Sequence, residues 1–262
     1  MAYPTVLYGP DSEPYSTYAV KTPAPPDGFA GGPIMYRHVQ PLGKQLVLED
    51  GRKFRFAAAG ASTLVIGNLL SAGVLTASQQ DLTPAAGAVG DRSVSLTTGA
   101  SSARNLFAEG YLQASVTPGI GETYKIAGHA VMTSGAGDLV FLAPGHALRQ
   151  AITTSTRFNL VDNPYFRVIQ IPATTVASIM VGVAITAPTT LRGCWIQTRG
   201  ICGVLTSGTM IAGDAVAAGL GTGGAVGPIA DNTQDTSPAG LGWCVFASAS
   251  GAASPVFLTL DG

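Results

Sequence analysis

Few residues in this chain could do chemistry, and their spacing does not bring them together. His38, His129 and His146 stand far apart and match no metal-ligand spacing. Asp138 could join His129 and His146 in an acid–base group only if the fold collected all three, and nothing local requires that. Cys194, Cys202 and Cys244 are odd in number, and their spacing fits neither a zinc site nor a redox pair. Cysteine behaves as a small hydrophobe, so three buried free thiols are expected. Gly219-Leu220-Gly221-Thr222-Gly223-Gly224 has the spacing of a dinucleotide fingerprint. That fingerprint works only where a helix follows to hold the phosphates at its N-terminus. Ala225-Val226-Gly227-Pro228 cannot open such a helix, so a hairpin loop is expected instead. Asp231-Asn232-Thr233-Gln234-Asp235 lacks the central Gly and terminal Glu of a calcium loop and reads as an Asx-rich surface turn. No catalytic, cofactor or metal residue is assigned, and the chain is not expected to be an enzyme.

The elements that would have to position such groups point elsewhere. The chain has 262 residues, of which 14 are Lys or Arg and 15 are Asp or Glu, 11% in all. An ordinary soluble domain carries about 25%. A soluble monomer relies on surface charge to stay hydrated and apart from its neighbours. A chain this poor in charge reads as part of an assembly, with much of its surface covered by other protein. Net charge is −1, which denies it the basic footprint of a nucleic-acid binder. No Lys or Arg follows Arg199, and the acidic residues beyond it (Asp214, Asp231, Asp235, Asp261) read as solvated loops. Residues 168–191 carry no charge, but Gln170, Pro172, Thr174, Thr175, Ser178, Thr186 and Pro188 interrupt the run. It reads as two buried strands and a turn, not a spanning helix, so no membrane partner is expected. The N-terminus has neither the basic region nor the apolar run of a secretory signal.

With 34 Gly and 17 Pro among many β-branched residues, the composition predicts an all-β fold with frequent turns. The expected architecture is a β-barrel or β-sandwich body over residues 36–262, of one or two modules with a boundary near 160. Residues 1–35 form an extended arm in this reading. The arm holds Pro23, Pro25 and Pro26, and five of the chain's eight tyrosines lie at or before position 36. Fully extended it would reach about 110 Å. Tyrosine joins an apolar ring to a polar tip and suits contact surfaces. Tyr3, Tyr8, Tyr15, Tyr18, Phe29 and Tyr36 are therefore the candidate partner-binding residues, on an arm that orders against a partner.

Strands are expected at 111–116, 123–132, 139–142, 166–171, 181–186 and 193–198, with a closing hairpin of 242–247 and 255–260. Residues 81–104, rich in Thr, Ser and Gly, read as a long loop or edge excursion, and 145–153 as one short helical turn. Residues 45–57 give the clearest hairpin. Only a three-residue loop, Glu49-Asp50-Gly51, aligns Leu46 and Leu48 with Phe54 and Phe56, so Gly51 should be left-handed in a G1 bulge. Two segments, 66–73 and 212–219, share a Gly, an Asn or Asp, an apolar pair and a closing Gly. Both read as a turn leading into a short strand. Trp195 and Trp243, each beside a Cys in a strand-like run, are expected in the core.

One succession of motifs carries a resemblance. Asn105-Leu106-Phe107-Ala108-Glu109-Gly110-Tyr111-Leu112 is followed by Gly121-Glu122-Thr123-Tyr124-Lys125-Ile126. Then come Asn163-Pro164-Tyr165, Val181-Gly182-Val183-Ala184 and Gly193-Cys194-Trp195-Ile196-Gln197-Thr198-Arg199-Gly200. Across residues 45–262 this order resembles the capsid cement, or decoration, proteins of tailed bacteriophages, marine phages above all. The resemblance implies a virion protein on the outer surface of the capsid that holds neighbouring major-capsid subunits together. Its partners would be the major capsid protein and neighbouring copies of itself, up to a homotrimer. Other virion roles (head fibre, minor capsid or tail-tube component) and a carbohydrate-binding adhesin are the alternatives. An adhesin would want exposed aromatic platforms on the body.

Overall fold

The computed structural model describes residues 6–18, 40–75, 77–176, 178–229 and 240–261. The fold is all-β, as its composition predicts. Five strands come first: β1 (Val6–Tyr8), β2 (Thr17–Tyr18), β3 (Gln45–Val47), β4 (Lys53–Ala58) and β5 (Leu69–Ser71). Six follow: β6 (Thr83–Pro84), β7 (Ser93–Thr97), β8 (Tyr111–Val116), β9 (Thr123–His129), β10 (Gly137–Leu142) and β11 (Arg157–Val161). The last seven are β12 (Ile169–Gln170), β13 (Met180–Ala184), β14 (Gly193–Leu205), β15 (Ala215–Ala218), β16 (Val226–Pro228), β17 (Gly242–Cys244) and β18 (Ala253–Thr259). The helical elements among the described residues are two 3₁₀ turns, Glu13–Tyr15 and Ala77–Gln79. The described residues fall into two compact units, one of 6–18, 40–74 and 164–261, the other of 75–163.

The 75–163 unit is one sheet in the order β11-β8-β9-β10-β7-β6, antiparallel throughout. Its ends meet where Leu82 and Phe158 exchange backbone hydrogen bonds of 2.8 and 3.0 Å, which closes the sheet on itself. Leu96, Leu112, Tyr124, Ile126, Val140, Phe158 and Leu160 fill the interior. The region expected as a loop contains β7, paired on both edges. Its residues Ser93-Val94-Ser95-Leu96-Thr97 alternate, and the two apolar ones are buried. Polar composition hid a period-2 pattern that needs only two apolar residues. No helical turn forms at 145–153.

The other unit is a 12-stranded sheet built around β14, which runs seven residues past its expected end at Thr198. β14 pairs with β4, β18, β13 and β2. Such crowding needs small residues. A Cβ on Gly193 would lie 2.5 Å from the Phe56 ring. Beneath the sheet, Leu46, Phe54, Phe56 and Trp195 form one cluster, with Phe56 edge-on to Trp195 at 5.2 Å. The β3–β4 hairpin has the predicted loop: Leu48 and Arg52 close it, Gly51 has φ +84°, and all four apolar residues are buried on one face. Both similar segments behave as read. Gly67 and Gly213 have φ +80° and +92°, and β5 and β15 follow them.

The arm reading changes for residues 6–18. They are strands of the body's own sheet, β1 parallel to β3 and β2 antiparallel to the start of β14. Leu7 and Tyr18 supply the apolar contacts that hold them there, packing on the Leu46–Phe56–Trp195 cluster.

Candidate contact surface

The side chains that could do chemistry are occupied with structure. His129 is fully buried; its Nε2 accepts the Phe107 N–H at 3.1 Å and its Nδ1 donates to the Ala130 carbonyl. Burial pushes its pKa below 6.5, so the ring is neutral. Asp138 instead accepts from the Thr98 hydroxyl and the Thr133 N–H, and His146 accepts from the Lys125 N–H at 3.4 Å. The three expected thiols are free and buried, and burial pushes those of Cys194 and Cys202 up to about 12, where they are inert. The glycine-rich 219–224 segment joins β15 to β16, an antiparallel pair. Asp231–Asp235 lies outside the described residues. Among the described residues no three His, Cys, Asp or Glu are grouped to hold a metal.

What stands out lies on the outer face of β14, β18 and β17. Ile201 lies directly opposite Phe257, and Phe257 directly opposite Trp243. Their exposures are 50%, 39% and 56%. One residue away, Cys202, Val256 and Cys244 form the matching row on the inner face, all buried. Neighbouring side chains on a strand point to opposite faces, so these three strands are apolar on both sides at one level. Three large apolar residues in direct cross-strand register and open to solvent make this face the candidate contact surface. Trp243 is thus not the core residue its sequence context implied, while Trp195 is. The stripe had a readable signal: Ile201-Cys202, Val256-Phe257-Leu258 and Trp243-Cys244 break polar alternation toward apolar on both parities.

A cavity of 570 Å³ adjoins the stripe, lined by Asp50, Gly51, Arg52, Arg199, Gly200, Ile201 and Phe257. Gly200, at φ +86°, gives Arg52 its path; a Cβ there would lie 2.8 Å from Arg52 Cγ. Arg52 pairs with Asp50 and, at 3.6 Å, with Asp11. Lys53 lies opposite Arg199, and Arg55 grips Asp261 with two bonds of 2.7 and 2.9 Å. Burial raises the Asp261 pKa, but hydrogen bonds from Arg55 and Thr198 and the charges of Arg55 and Lys53 outweigh it and hold the carboxyl below its ordinary value. Asp261 is therefore part of a half-buried ion pair and not the solvated loop residue it was expected to be. A second cavity, 620 Å³, lies on the other side of the hairpin tip, lined by Tyr8, Gly9, Pro10, Asp11, Val47, Leu48 and Glu49.

The tyrosine candidates divide. Tyr8 is 79% exposed and opens on the second cavity, and Tyr15 is also exposed. Tyr18 is turned inward, edge-on to Phe56 at 5.7 Å, with its hydroxyl donating to Glu13. Tyr3, Phe29 and Tyr36 lie outside the described residues. Comparison of the chain with protein-family models, curated proteins and solved structures found no match.

Proposed function

We propose that this chain is a virion structural protein that binds the outer surface of a tailed-phage capsid and cements neighbouring major-capsid subunits. The observation that carries the reading is the solvent-open row Ile201–Phe257–Trp243 on a chain with so few charges. The ordered motif succession that resembles the cement family supports it. Binding of this kind acts by mass action: a protein that holds only the assembled lattice stabilises that lattice. The experiment is co-sedimentation of the full chain with expanded capsid shells. The triple variant Ile201→Ser, Phe257→Ser, Trp243→Ser should lose most binding while staying folded, since all three side chains are exposed. Raising salt to about 0.5 M should weaken wild-type binding little, because apolar contacts are not screened. Undiminished binding of the triple variant would remove this face from the interface.

A second reading has one observation in its favour. Trp243 and Phe257 are adjacent exposed aromatics, the platform that a carbohydrate-binding adhesin would need. Glycan-array binding that is lost with Trp243→Ala would favour the adhesin over the cement role.

A further inference from the structure

The cavity between the β3–β4 turn and the β14–β18 pair sets an unbalanced positive charge beside an apolar wall. Arg52 and Arg199 line it together with Asp50, Ile201 and Phe257. Arg52 is already paired, with Asp50 and, at 3.6 Å, with the exposed Asp11. Arg199 is half-buried, and no ion pair among the described residues includes it. Its Nη1 donates to the Asp261 backbone carbonyl at 3.3 Å, and a carbonyl does not neutralise a guanidinium. The carboxylate of that same Asp261 is taken by Arg55 and by the Thr198 hydroxyl. Lys53, opposite Arg199 in the sheet, adds positive charge close by.

We infer that this cavity is a carboxylate site, which takes the acidic side chain of a partner protein segment whose neighbouring apolar residue packs on Ile201 and Phe257. The guanidinium fork matches a carboxylate, with two parallel N–H donors for its two oxygens. At 570 Å³ the cavity has the size of a ligand pocket, and such pockets combine apolar walls with a few placed polar groups. A bare inorganic anion would leave the Ile201 and Phe257 wall uncovered, whereas a carboxylate carried beside an apolar group covers it. Ile201 and Phe257 belong to both the cavity and the exposed row. A chain that covers the row therefore passes the mouth of the cavity and delivers its acidic residue in the same contact, which favours a protein segment over a free small acid. A pair enclosed there is screened less than exposed charges, in keeping with weak salt dependence. The inference stands whether or not the partner is a capsid.

The test is nuclear magnetic resonance of the full chain, with no capsid present, so its outcome is separate from that of the cement role. The side-chain Nε–H signals of Arg52 and Arg199 and the indole signal of Trp243 are followed as acetyl-Glu-Phe-amide or acetyl-Gln-Phe-amide is added. The two peptides differ in the charge of one side chain. The site predicts saturable shifts at Arg199 and Trp243, with the acidic peptide bound several-fold more tightly than the neutral one. Arg199→Gln should abolish that preference. Arg199→Lys, which keeps the charge but loses the fork, should retain part of it, and this separates loss of the site from loss of the fold. Equal affinity for the two peptides, a preference undiminished in Arg199→Gln, or binding of neither peptide would overturn the inference. Phenylpropionate is the third arm, and tighter binding of it than of the acidic peptide would assign the cavity to a free small acid and overturn the protein source.

Discussion

The two units differ in where their exposed apolar residues sit. In the 75–163 unit Leu139 lies opposite Ser95, and Tyr111 lies between Lys125 and the half-buried Val161, which makes a pair and not a row of three. In the other unit Ile201, Phe257 and Trp243 lie opposite one another. Isolated exposed apolar residues are ordinary, but a row in register is not. The units differ in wiring as well. β8, β9 and β10 are chain neighbours paired in sequence, while β14 gathers β2, β4, β13 and β18 from across the chain. The 75–163 unit closes on pairings within one continuous stretch of chain, and the other gathers strands from both ends of the chain onto β14 and carries an open apolar face.

The largest effect that could sharpen this contrast comes from the cores. Trp195→Ala should cost about 3–5 kcal/mol, and Phe158→Ala a similar amount. Hydrogen exchange should show protection lost around β2, β4, β13 and β18 for the first, and within 75–163 for the second. The buried clusters of the two units share no residue among those described. Losses spread evenly over both units by either variant would break the comparison.

That difference in wiring also decides what was legible in the sequence. Tyr111–Val116 is a strand with the bounds expected, because an alternating run between turns carries its own evidence. Gly51 was legible because a single buried face admits one loop length. The pairings of Val6 with Gln45 and of Tyr18 with Gly193 leave no local trace. Proline and tyrosine content spoke for an arm, and long-range packing of Leu7 and Tyr18 overrode it. The exposed apolar row is half legible: its apolar residues are visible in the sequence but their register is not, so the sequence alone puts Trp243 in the core while the structure exposes it.

Asp261→Asn tests a long-range link next in size. Losing the half-buried pair with Arg55 should cost about 1–2 kcal/mol, between exposed and buried pairs. The carboxyl is held below its ordinary value, so its contribution is complete above about pH 4, the unfolded value, and is lost as pH falls through the lower folded one. The wild-type acid limb should flatten in Asp261→Asn. An unchanged limb would deny the link.

Gly51→Val should cost on the order of 1 kcal/mol, since a β-branched residue is strained at φ +84°. No heavy atom lies within 4 Å of a Cβ placed there, so a neutral result could only mean that the loop rearranges. The smallest expected effect is in the 75–163 unit. His129 is buried neutral, and its folded pKa lies below the unfolded 6.5. Stability is therefore complete above about pH 6.5 and declines as pH falls toward the folded value. His129→Gln should remove this acid sensitivity in thermal melts recorded between about pH 7 and pH 5. If the variant keeps the same slope, His129 is not its source.

The proposed role is to stabilise an assembly by binding it. The most direct measurement is the burst temperature of capsids stripped of the protein and then given it back. The cement role predicts lower burst temperature after stripping, with shape retained, and a dose-dependent, saturable recovery on add-back, as linkage requires. The triple variant at Ile201, Phe257 and Trp243 should fail to restore it. Add-back of the wild-type chain that leaves burst temperature unchanged would contradict the claim.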